Sequence, residues 1–118
     1  MQKHIFTVFA LALLFCFASP ARATDPGSGA LSAGDLHGLC TSSSDIDYGY
    51  CAGYVSAVAH VLLDQPVGGV RACHHANVRS QQLIDTFNSW TELFPERMGD
   101  DAATAVAAAF ARAFPCAQ

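Results

Sequence analysis

Four cysteines set the tightest limit on what this chain can fold into: Cys40, Cys51, Cys73 and Cys116. An even set in a small exported protein reads as a disulfide framework. That reading depends on the compartment, and the N-terminus supplies it. Lys3 and His4 give a short basic start, Ile5 to Ala18 is almost unbroken apolar sequence, and Pro20 breaks it. Ala21-Arg22-Ala23 then offers the small-x-small pattern that a signal peptidase needs. This order describes a secretory signal, with cleavage expected after Ala23. The apolar run is too short for a comfortable membrane span. A fifth cysteine, Cys16, leaves with the signal; Phe15 before it is too large for a lipoprotein site.

Residues 1–23 are therefore read as signal peptide, the Pro/Gly/Ser-rich 24–30 as a flexible tail, and 31–118 as one domain. Cleavage removes Lys3 and Arg22. It leaves Arg71, Arg79, Arg97 and Arg112 against ten acids, a balance of −6 with histidines neutral. Without a lysine, such a surface argues against nucleic acid and anionic membranes as partners. A zinc site at Cys73, His74 and His75 is disfavoured, because zinc cysteines usually come in close pairs such as Cys-x-x-Cys.

The periodicity is helical throughout, and no segment alternates as a strand. Ser32 can cap a short helix to about Cys40. Ser44 with Asp47 resembles a capping box and opens a second helix to about Asp64. Its face is Cys51, Tyr54, Val55, Val58 and Leu62, while Gly49, Ala52, Gly53, Ser56 and Ala59 would let another helix approach closely. Pro66, Gly68 and Gly69 break the chain. A third helix is predicted from Asn77 or Val78 to Leu93, presenting Leu83, Ile84, Phe87 and Trp90. Asp100 or Asp101 caps a fourth through Phe114, with Val106, Phe110 and Phe114 inward. The predicted fold class is all-α: a small four-helix domain, one helix short and three longer, stapled by two disulfides.

If the three long helices run up, down and up, Cys73 and Cys116 meet at one pole. Cys40 and Cys51 flank the first turn at the other. The expected pairs are Cys40–Cys51 and Cys73–Cys116.

Candidates for catalysis are few. Oxidised cysteines supply no thiolate. His74-His75 reads as a polar loop, His60 as packed or half-exposed, and His37 as surface. Asp100 and Asp101 read as helix-start residues beside Glu96. No catalytic residue, metal site or cofactor is assigned. The connection Phe94-Pro95-Glu96-Arg97-Met98-Gly99 differs, because it places Phe94, Arg97 and Met98 where little core remains to hide them. Such side chains are common material of protein interfaces, so Phe94, Glu96, Arg97 and Met98 are the candidate partner-binding residues.

Several pieces together resemble a known family. They are Asp35-Leu36 with Leu39-Cys40, Cys51-Ala52-Gly53-Tyr54 with Val58, and Cys73 followed by Gln82-Leu83. Trp90 with Phe94-Pro95-Glu96 comes next, and Phe114-Pro115-Cys116 closes an alanine-rich helix. In order and spacing they resemble the Rap/Tai immunity proteins of type VI secretion systems, over nearly all of 31–118. The resemblance implies a periplasmic, all-helical and often dimeric protein. Its partner would be a cognate peptidoglycan amidase effector, bound and inhibited to protect the producing cell. In some members the loop between the last two helices enters the amidase cleft; here that loop is Phe94 to Gly99. Two departures stand out. His74-His75 replace the usual apolar residue and proline, and Arg79 stands near a usual threonine cap, so the third helix can start elsewhere. The competing reading is a periplasmic acid or stress chaperone, suggested by the acidic surface and four mature histidines.

Overall fold

The computed structural model of this chain describes residues 30–117. The expected signal peptide and all of the expected tail except Ala30 lie outside the described residues. Four helices follow one another: α1 Ala33–Cys40, α2 Asp45–Leu62, α3 Ser80–Leu93 and α4 Ala102–Ala113. A single 3-10 turn, Pro95–Arg97, separates the last two. Among the described residues the only β-type pairings are two isolated bridges, Ser32 with Asp101 and Val67 with Val70.

Three of the four helices begin where a side chain accepts from a first-turn N–H group. At α1 the Ser32 hydroxyl accepts from the Asp35 N–H, and the Asp35 carboxylate accepts from the Ser32 N–H at 3.1 Å and from its hydroxyl at 2.6 Å. These bonds hold the Asp35 carboxyl below the usual carboxylate range. The start of α2 keeps half of the expected capping box. Ser44 accepts from the Asp47 N–H at 3.4 Å, but the Asp47 carboxylate accepts from the Ser42 hydroxyl at 2.8 Å. The Ser44 N–H goes to Ser42 Oγ as well. A short aspartate has this nearer partner and leaves the backbone to serine. At α4 the choice between two acids falls on Asp101, which accepts from the N–H and hydroxyl of Thr104 at 3.0 and 3.1 Å.

The start of α3 lies later than the sequence predicts. Ala76 and Asn77 form a turn closed by Val78 N–H to His75 O, and the helix opens at Ser80 with Arg79 as its cap residue. Arg79 makes no side-chain cap bond, because its side chain offers only donors. The departure noted at Arg79 is where the start moved. The other ends shift by a residue or two: α2 stops at Leu62 rather than Asp64, and Phe114 caps α4 rather than continuing it.

The predicted faces meet in one core. Val55, Val58 and Leu62 from α2, Leu83, Ile84, Phe87 and Trp90 from α3, and Val106 and Phe110 from α4 are buried together with Leu36 of α1. Tyr54 is only half-buried at the edge of that face. Alanines Ala102, Ala105, Ala107 and Ala109 are buried too, so α4 packs closely on its neighbours. Between α2 and α3, Val67 and Val70 pair reciprocally around Gly68 and Gly69, both at positive φ. A methyl group on Gly68 would fall 2.5 Å from Thr104 Oγ1, so this turn docks directly on α4.

Both expected disulfides form. Cys40–Cys51 joins α1 to α2 with its cysteines buried, and Cys73–Cys116 joins the chain before α3 to the end of the domain. The Cys73 N–H also donates to Phe114 O at 2.8 Å.

Candidate functional site

The connection after α3 is fixed from three sides. Its backbone is held by the start of α1: the Ala33 N–H donates to Asp100 O at 2.8 Å and the Gly34 N–H to Met98 O at 2.9 Å. The Ala102 N–H returns a bond to Leu31 O at 2.9 Å. The first orphan donors of α1 therefore find their acceptors in a loop more than sixty residues later in sequence. A methyl group on Gly34 would lie 3.2 Å from Met98 O, which explains a small residue there.

The side chains stack. The Arg97 guanidinium lies 5.0 Å from the centre of the Trp90 ring and donates from Nε and Nη2 to Asp100 Oδ2, each at 2.8 Å. Trp90 packs against Phe94 at 5.3 Å, and Arg112 of α4 sits 5.5 Å from the Phe94 ring. Two of the four arginines expected in the mature chain thus bracket two aromatic rings, a favourable arrangement for cation and π-face.

The candidate residues divide accordingly. Glu96 is exposed, as the loop reading expects. Phe94, Arg97 and Met98 are half-buried, covered by Trp90, Asp100 and α1 rather than projecting freely. Sequence reasoning missed two neighbours. Leu93 is 62% exposed, the second most exposed large apolar residue of the described chain, and its position off the Leu83–Phe87–Trp90 stripe was the available signal. Arg112 gave no local signal, because its contact with Phe94 spans two helices. Leu93 and Arg112 border a groove of ≈ 410 Å³ between α3 and α4, with Trp90 and Ala109 also in its wall.

The other candidates resolve differently. His37 is half-buried rather than on the surface: its Nδ1 lies 3.0 Å from Thr91 Oγ1 and 3.2 Å from Asn88 Oδ1, because α1 packs on α3 there. His60 is exposed. His74 and His75 diverge; His75 is exposed, whereas His74 is buried with its ring 5.8 and 5.9 Å from Phe110 and Phe114. The polar-loop reading is therefore corrected for His74. The Phe-Pro-Cys end folds back over it. Tyr54 has its hydroxyl pKa raised by burial, then by Asp101 and Tyr50.

Among the described residues all four cysteines are disulfide-bonded, and no group of three or more His, Cys, Asp or Glu side chains could hold a metal ion. What the connection presents is an aromatic and charged surface tied to the start of α1 by main-chain bonds. The family model for Rap1a immunity proteins matches residues 32–116.

The chain belongs to the Rap1a immunity protein family.

No curated protein and no solved structure was found similar to it. In this Rap1a immunity protein the match runs from the capping serine of α1 to the last cysteine. It takes in both disulfides and the whole pinned loop.

Proposed function

We propose that this Rap1a immunity protein is exported to the periplasm by the segment 1–23 and there binds and inhibits a peptidoglycan amidase delivered by type VI secretion. It acts by occupation, without catalysis or cofactor. The Phe94–Gly99 loop is the part that enters the enzyme's cleft. The observation carrying this reading is the loop's preorganisation: the Gly34 N–H bond to Met98 O, the bonds that Asp100 and Ala102 make to the start of α1 just beyond it, and the Arg97–Trp90–Phe94–Arg112 stack hold it before any partner arrives. A loop already ordered loses little conformational entropy on binding. The export signal and family membership supply the setting.

The test is titration of purified type VI peptidoglycan amidase effectors, including any encoded beside this gene. Stoichiometric inhibition is expected from the native protein. Arg97→Ala and Glu96→Arg are each expected to weaken it roughly 30-fold, the effect of a hot-spot residue of about 2 kcal/mol. Full inhibition by a protein whose residues 94–99 are replaced by glycine and serine would overturn the role of the loop.

The same protein is proposed to pair with a second copy through the outer side of α2. Ile46 is 85% and Tyr50 55% exposed, Tyr50 stacks on Tyr54, and methyl groups added at Gly49 or Gly53 would meet nothing within 4 Å. Glycine in a helix interior costs about 1 kcal/mol relative to alanine, and nothing inside this protomer uses the space. Sedimentation analysis is expected to give a dimer that Gly53→Arg dissociates. A monomer at tens of micromolar would refute the pairing.

A further inference from the structure

The main chain of the Phe94–Gly99 loop is held through a helix too short to hold itself. Among the described residues, every main-chain hydrogen bond from 94–102 to a distant segment runs to 31–34. These are Ala33 N–H to Asp100 O, Gly34 N–H to Met98 O and Ala102 N–H to Leu31 O. Residues 33 and 34 open α1, which has 8 residues and buries only Ala33, Leu36 and Cys40. An isolated helix of fewer than about 12 residues is marginal in water. The position of α1, and with it the anchorage of the loop, therefore comes from what α1 is attached to.

The covalent attachment is at the far end. Cys40 is the last residue of α1, and its disulfide partner Cys51 is the seventh residue of α2. Without that bond, Thr41 to Ser44 still join the two helices, but a turn of four residues fixes their ends and not the angle between them. Leverage makes the angle matter. Gly34 lies about 9 Å along the helix from Cys40 at 1.5 Å per residue, so a swing of roughly 20° moves it about 3 Å. That is enough to break bonds of 2.8 and 2.9 Å at the loop. His37 is a second tie, with Nδ1 3.0 Å from Thr91 Oγ1 and 3.2 Å from Asn88 Oδ1. It sits at mid-helix, and a hydrogen bond opens far more readily than a covalent one. The Cys73–Cys116 bond includes no residue of α1 or of the loop.

We propose that the Cys40–Cys51 disulfide is a redox latch for the Phe94–Gly99 loop: oxidation of this one pair fixes α1 and so orders the loop. The oxidant is a dithiol protein in its disulfide form. One thiolate of the pair attacks it to give a mixed disulfide, which the second thiolate then displaces. Overall, Cys40 and Cys51 lose two electrons and two protons and gain one S–S bond, while the S–S bond of the oxidant is cleaved to two thiols. Cys40 is 5% and Cys51 0% exposed, so the closed bond is shielded and the latch sets once, as the protein folds. The consequence for inhibition rests on the proposed inhibitory role of the loop; the ordering itself does not.

The test compares Cys40→Ser/Cys51→Ser with Cys73→Ser/Cys116→Ser by NMR. Two reporters follow the loop: the Gly34 amide, bonded to Met98 O, and the Arg97 side chain, displaced by the Trp90 ring it lies over. In the first variant both are expected to lose more than half of their displacement from unstructured values, while the Phe87 and Phe110 signals stay native. In the second variant, which opens the longer of the two cross-linked loops, both reporters are expected to stay native. Should Cys40→Ser/Cys51→Ser fail to fold, Cys40→Ala/Cys51→Val fills the buried space with apolar groups, and the same loss is expected. Native reporters without the Cys40–Cys51 bond, or equal losses without the Cys73–Cys116 bond, would overturn the latch. Amidase inhibition is expected to fall at least tenfold in the first variant only. A loosened loop with undiminished inhibition would overturn the inhibitory role of the loop and leave the latch standing.

Discussion

Changing Cys73 and Cys116 together to serine is expected to lower the stability of the domain by about 4 kcal/mol, and the same change at Cys40 and Cys51 by about 3. The difference follows from the loops closed: the sequence separations are 43 and 11, and the longer loop removes more freedom from the unfolded chain. Either loss is a large share of the roughly 5–15 kcal/mol that holds a typical domain together. Urea unfolding of the oxidised protein and the two double variants measures both values. A Cys73/Cys116 variant within 1 kcal/mol of native would refute the argument. The order of reduction provides a second readout. Cys40 is 5% and Cys51 0% exposed, whereas Cys73 is open to solvent and Cys116 half-buried. Attack on a disulfide needs access to its sulfur. Limited reductant followed by alkylation and peptide mapping should label Cys73 and Cys116 first.

Phe110→Ala is expected to cost about 3–5 kcal/mol, the range for removing a fully buried phenylalanine. Phe110 is 0% exposed and lies at the centre of the aromatic group that closes the domain, 5.8 Å from His74 and 6.2 Å from Phe114. Emptying that place removes packing from the core and loosens the support of His74. The expected readout is a lower urea midpoint with an unchanged slope. Phe110→Leu, which keeps most of the apolar volume, should recover more than half of the loss. A Phe110→Ala effect below 1 kcal/mol would show that the neighbours collapse into the space.

How much could be read beforehand varied with the distance over which each feature is decided. Ser32, Ser44 and Asp101 cap helices through contacts three residues away, so the sequence carries the signal itself. The faces of α2, α3 and α4 follow from the 3.6-residue repeat in the same way. The start of α3 shows the limit. The sequence places its start at Asn77 or Val78, yet the helix begins two or three residues later, at Ser80. There the Leu83 N–H takes Arg79 O as its acceptor, and the preceding residues form the turn closed by the Val78 N–H on His75 O.

The sequence alone determined what the four cysteines do. Helix number, order and the short first turn leave one sensible pairing, because chain connectivity places the right ends together. The serine caps of α1 and α2 and most of the inward faces were equally determined, since each depends on residues within a turn or two. The tertiary structure alone decided the surface. It tucked Phe94, Arg97 and Met98 partly away, set Arg112 over Phe94 and buried His74 rather than His75. The physical reason is common to all of these. Each outcome is fixed by a partner on another helix or by a loop bound to the start of α1, and no periodicity or local motif encodes a contact made that far along the chain.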